Sequence, residues 1–115
     1  MRREDYIFCI GYEGSTAIVD GKLMRRHRFQ GTRQLAEAGL YKQAICSALW
    51  NGQSVDGEVE AGQGQGGPTG RQGELEEVLA VFNQKTATPV RTVEELMRIF
   101  GTSGVPEGVK KVTVI

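Results

Sequence analysis

Apolar residues dominate both alternating positions of 6–12, Tyr-Ile-Phe-Cys-Ile-Gly-Tyr. Tyr6, Phe8, Ile10 and Tyr12 share one face of an extended chain, and Ile7, Cys9 and Gly11 the other. Such a run predicts a strand covered on both sides. Glu13-Gly14 supplies a tight turn, and 15–19 pairs back. Asp20-Gly21 then stands between Ala17-Ile18-Val19 and Lys22-Leu23-Met24. Asp-Gly between two strand-like runs signals a hairpin with a type I′ turn, so 22–28 is expected as the third strand of an antiparallel meander. Neither face of that strand stays apolar, which makes its far end an exposed edge.

From Thr32 the period changes. Thr32 can cap a helix through Leu35 and Ala38, and Gly39 interrupts it. Tyr41, Ala44, Ile45, Ala48 and Leu49 repeat at helical spacing up to Trp50. Either two helices meet at a corner at Gly39-Leu40, or one helix tolerates Gly39. Residues 51–73 carry glycine at 52, 57, 62, 64, 66, 67, 70 and 73 and almost no large apolar side chain. Such a segment buries too little surface to offset its ordering entropy, so a flexible Gly/Gln-rich loop is expected. Leu75, Val78, Leu79 and Phe82 then form the stripe of an amphipathic helix over 74–86. Pro89 breaks it. Thr92-Val-Glu-Glu95 is a capping box opening another helix, with Val93, Leu96, Met97 and Phe100 as its apolar face and Gly101 as its stop. The β-branched run 109–115 is expected to join the sheet. The pattern predicts one α+β domain over 1–115, a small meander joined by a C-terminal strand, with three or four helices packed mainly on one face. Leu79, Phe82 and Phe100 belong to its core.

Charge adds one local feature. Fourteen basic residues balance fourteen acidic ones, which argues against a chain that binds nucleic acid over its whole surface. Yet Lys22, Arg25, Arg26, Arg28 and Arg33 fall within twelve residues that contain no acid. With His27 and Lys42 they are the candidate nucleic-acid or anion-binding residues. Charges on a sheet edge also block edge-to-edge aggregation, which accounts for the run without any ligand.

The segment 34–52, QLAEAGLYKQAICSALWNG, has Gly39 at a turn, then Leu40-Tyr41, Ala44-Ile45, Ala48 and Gly52. In these residues it resembles the helix-turn-helix of phage Cro-type repressors. The resemblance implies that the helix from Tyr41 enters a major groove with Lys42 and Gln43 facing bases. Leu35 stands where such motifs carry a small residue, and Gln34 where they carry an apolar one.

Catalytic chemistry finds little support. Folds of the ribonuclease-H and actin type open with a similar meander but need a carboxylate on its first strand. Here that strand offers none, and Glu13 lies in the turn. His27 is the sole histidine, flanked by arginines. Neither Cys9 nor Cys46 sits in a Cys-x-x-Cys pair, so no zinc site is expected. Both read as buried thiols of a reducing, cytoplasmic compartment. Asp56, Glu58 and Glu60 lack the glycine turn and terminal acid of a calcium loop. No catalytic residue, metal or cofactor is assigned. No signal peptide and no membrane span is expected.

A non-catalytic interaction or self-assembling structural module fits best. Its partners would be a second copy, aided by zero net charge and a loop long enough to exchange the last elements between chains, or another protein. The alternative is a nucleic-acid- or phosphate-binding regulator using the basic run and the helix-turn-helix-like segment. A small metal-dependent hydrolase, with Glu13, Asp20 or His27 in a concave site, stands third.

Overall fold

The N-terminal segment begins helical. In the computed structural model, which describes residues 2–52, 70–87, 89–102, 104–106 and 108–115, Arg3–Ile7 forms a short helix, α1. Asp5 fixes its start by accepting a hydrogen bond from the Arg2 backbone N–H at 3.1 Å. The strand expected over 6–12 therefore starts later: β1 is Cys9–Glu13. Tyr6, Ile7 and Phe8 are buried, but at a helix end, not in a central strand. A short apolar run does not distinguish the two.

Gly14, with φ of 59°, adopts the left-handed conformation that turns the chain into β2, Thr16–Val19. β1 and β2 pair antiparallel, with an irregularity between Cys9 and Gly11.

The third strand of the meander is absent. Gly21–His27 is a helix, α2, and Asp20 is its N-cap: its carboxylate accepts from the Leu23 backbone N–H at 3.1 Å. The place beside β2 is taken by β3, Lys111–Val114, which runs parallel to it in the order β1-β2-β3. The sheet is thus mixed: a hairpin plus the C-terminal strand. Gly21 donates its N–H to the Ile115 carbonyl at 3.0 Å. A Cβ at Gly21 would lie 2.5 Å from that oxygen and 2.8 Å from Val114 Cγ1. Glycine is required there because the end of the β3 segment sits against the first turn of α2. Gly21→Ala is expected to lower stability by about 1–3 kcal/mol, as overpacking does. Gly11→Ala, at a position with open space around it, is the control. Denaturant midpoints of the two variants check this.

The remaining elements are α3, Thr32–Glu37; α4, Tyr41–Asn51; α5, Gly70–Lys85; and α6, Val93–Phe100. Gly39 makes a corner between separate helices: at φ of 85° it ends α3, with Gly39 N–H bonded to Ala36 O and Leu40 N–H to Leu35 O, both at 2.9 Å. Thr32 is not the cap of α3. Gly31 is, and the Gln34 side chain accepts from the Gly31 N–H at 2.8 Å. Thr92 does cap α6, accepting from Glu95 N–H at 3.1 Å, and left-handed Gly101 ends it. The loop expected over 51–73 is shorter at both ends, because α4 includes Asn51 and α5 starts at Gly70. Its centre, 53–69, lies outside the described residues.

α4 is the axis of the core. It packs against α1, α3, α5 and α6, and Ala44, Ile45, Ala48 and Leu49 are buried among them. Ala17 and Val19 of β2 are also fully buried. Leu79 and Phe82 sit in the core as expected, and Phe100 packs against it partly exposed. Among the described residues no helix is long and apolar enough to cross a membrane.

Candidate basic and aromatic surface on α2

The helical period of α2 sorts its side chains. Met24 is buried, and Leu23 and His27 are half-buried on the same side. Lys22, Arg25 and Arg26 are left exposed. Arg25, Arg26 and His27 also occupy the last turn, where positive charge complements the helix dipole. His27 is not part of the exposed set: its Nδ1 lies 2.9 Å from Gln30 Oε1. Arg28 follows, exposed, with its guanidinium carbon 4.8 Å from the centre of the Phe29 ring. Its NH1 is 3.9 Å from Glu4 Oε2, a long surface pair that contributes little. Phe29 itself is 86 % exposed, the extreme among the large apolar side chains described.

Lys22, Arg25, Arg26 and Arg28 therefore come together on and beside one short helix. Besides His27, two further candidates do not join them. Arg33 pairs with Glu37 at 3.0 Å and Glu77 at 3.6 Å, so acids from two helices answer its charge. Lys42 lies in a separate cleft. α4, which the Cro-type resemblance would place in a major groove, packs against four other helices, and its Lys42 and Gln43 are half-buried. Phe29 was missed at the sequence level, although an aromatic directly after a basic run is a signal for stacking.

The separate cleft has a volume of about 270 Å³ and lies between β1, α4 and the segment after α6. Tyr6, Cys9, Tyr12, Lys42, Cys46 and Thr102 line it. The Cys9 thiol donates to the Gly11 carbonyl at 3.0 Å. Burial pushes the Cys46 thiol up to about 11, against the opposing effects of a Tyr6 hydrogen bond and the Lys42 charge. Burial, then a hydrogen bond with Cys9, holds the Tyr12 phenol above its ordinary range. Neither Glu13, Asp20 nor His27 lines this cleft, and Asp20 is committed to capping α2. Among the described residues no three His, Cys, Asp or Glu side chains are grouped to hold a metal, and Asp56, Glu58 and Glu60 fall outside those residues. No family model matches this chain, and neither a curated protein nor a solved structure does.

Proposed function

We propose that the protein is a non-catalytic interaction module that docks nucleic acid on α2 and Phe29. The observation that carries this is the exposed Phe29 ring directly after Lys22, Arg25, Arg26 and Arg28. Cations bind phosphates without regard to sequence, and an exposed ring stacks on any unpaired base. Edge protection no longer accounts for the basic run, because β3 occupies the place beside β2. Single-stranded nucleic acid is the natural ligand, since its bases are open to stacking.

The test is fluorescence anisotropy of a labelled single-stranded oligonucleotide, titrated with the protein across a salt series. Affinity falls as salt rises, by a log–log slope of roughly 0.7 per neutralised phosphate. Replacing Arg25, Arg26 and Arg28 together by Gln should lower that slope by about 2 and weaken binding at low salt. Phe29→Ala should weaken binding by roughly 1–3 kcal/mol and leave the slope in place. No binding by the wild-type chain at low salt eliminates this reading.

One observation favours self-assembly as the second reading. Val112 and Val114 of β3 and Ile115 just after it are 36 %, 47 % and 67 % exposed, and the one described neighbour of β3 is β2. An apolar edge of this kind templates pairing with another chain. A chain that ignores oligonucleotides but sediments at twice its mass belongs to this class.

A further inference from the structure

We infer that the cleft between β1 and α4 is a thiol-oxidation site, in which a hydroperoxide oxidises Cys9 and Cys46 closes on it as an intramolecular disulfide. The two cysteines come from distant parts of the chain, one on an exposed strand and one on the central helix, yet both line a single cleft. Two phenols, Tyr6 and Tyr12, line the same cleft. The exposure of the two cysteines differs in the way an entry thiol and a resolving thiol require. Cys9 is partly exposed, and Cys46 is 6 % exposed. An oxidant from solvent reaches Cys9 first.

The chemistry balances in two steps. The Cys9 sulfur attacks one peroxide oxygen and the O–O bond breaks. The thiol proton passes to the leaving oxygen, giving a sulfenic acid and water or an alcohol. The Cys46 sulfur then attacks the Cys9 sulfur, an S–S bond forms, and the S–O bond breaks with release of water. Two thiols have lost two electrons to one peroxide. Lys42, in the same cleft, places a positive charge where the Cys46 thiolate forms, which the cost of burial otherwise opposes. A disulfide needs Cα atoms within about 7 Å, and any approach falls to β1. β1 is an edge strand whose pairing is irregular beside Cys9, and Ile10, Tyr12 and Glu13 on it are exposed. Closure would tie the edge of the sheet to the central helix and narrow the cleft.

The experiment treats the full chain with hydrogen peroxide under native conditions, then blocks remaining thiols and measures intact mass and peptide maps. The expected product is a monomer lighter by two hydrogens with a Cys9–Cys46 cross-link. In Cys46→Ser the same treatment should leave a sulfenic acid at Cys9 that a cyclic dione traps. In Cys9→Ser it should leave Cys46 as an unmodified thiol. Circular dichroism of each variant confirms that the folded chain was oxidised. Oxidation of Cys9 beyond the sulfenic state with Cys46 still free in the wild-type chain overturns the inference. Cross-linked dimers through Cys9, or faster oxidation of Cys46 than of Cys9, do the same.

Discussion

Phe82→Ala is expected to remove about 3–5 kcal/mol of folding free energy. The Phe82 ring is 9 % exposed and meets Tyr41 edge-on at 5.0 Å and Phe100 edge-on at 5.9 Å. Tyr41 and Phe100 also touch, at 6.0 Å, so three rings join α4, α5 and α6. Truncation leaves a cavity between three helices that other contacts hold in place, so collapse recovers little of the loss. It also deletes two aromatic pairs, each worth roughly 0.5–1.5 kcal/mol beyond area burial. A domain of this size has about 5–15 kcal/mol in total, so the variant should melt far lower or be partly unfolded at room temperature. Phe100→Ala removes a ring that is only partly buried and should cost distinctly less. Urea denaturation of the two variants beside the wild type measures both. An unchanged midpoint for Phe82→Ala would place the α5 stripe outside the core.

Elements whose signal is local were legible in the sequence. Gly39 and Gly101 stop their helices at φ of 85° and 65° because a left-handed residue satisfies the last carbonyls, and glycine alone does so without strain. Thr92 caps because its hydroxyl reaches a backbone N–H three residues on. β3 was legible as a strand because Val112, Thr113 and Val114 are β-branched, and as part of the sheet because a strand needs a partner.

Asp20-Gly21 was not legible, because the same two residues serve a hairpin turn and a helix N-cap equally well. What decides is distant in sequence. β3 occupies the free side of β2, and Ile115 accepts the Gly21 N–H. The alternation along 22–28 carried a warning, since neither face of it was apolar. Met24 and His27 instead stand three apart, a helical interval. The basic cluster survives this change of structure because Lys22, Arg25 and Arg26 share the outer side of a helix as readily as they crowd an edge. Arg33 left the cluster for a reason visible in the sequence once a helix is granted: Glu37 is four residues on. The cleft could not be anticipated, because it assembles Cys9, Lys42, Cys46 and Thr102 from three separate segments.

Arg3→Ala should be nearly as damaging as loss of Phe82, although Arg3 stands in a polar sequence. Its guanidinium spans three acceptors: the Arg28 carbonyl at 3.1 Å, the Gln30 carbonyl at 2.8 Å and Ser47 Oγ at 3.0 Å. Ser47 is fully buried and shares a 2.8 Å hydrogen bond with Thr32, 6 % exposed. Thr32 in turn donates to Glu74, which also accepts from Asn51 Nδ2 at 2.9 Å. One network thus ties α1 to the α2–α3 connection, α4 and α5. Burial lowers the Arg3 pKa from its ordinary value, and the negative charges of Glu74 and Glu4 oppose that shift. The group stays charged at any pH the fold survives. Hydrogen bonds to charged groups contribute roughly 1.5–3 kcal/mol each, and three made by one side chain share the cost of ordering it. Removal of the guanidinium leaves Ser47 one partner short and two carbonyls without their donor, so a loss of about 2–4 kcal/mol is expected. Arg3→Lys should recover little of it, because a single ammonium cannot span three acceptors held by a planar fork. Because Arg3 braces the connection that carries Arg28 and Phe29, the same variant should weaken oligonucleotide binding without changing any cation of α2. Denaturant unfolding and anisotropy on one preparation separate the outcomes. Wild-type stability with weakened binding would make Arg3 a contact residue, and wild-type values of both would show that the network contributes nothing to the fold or the surface.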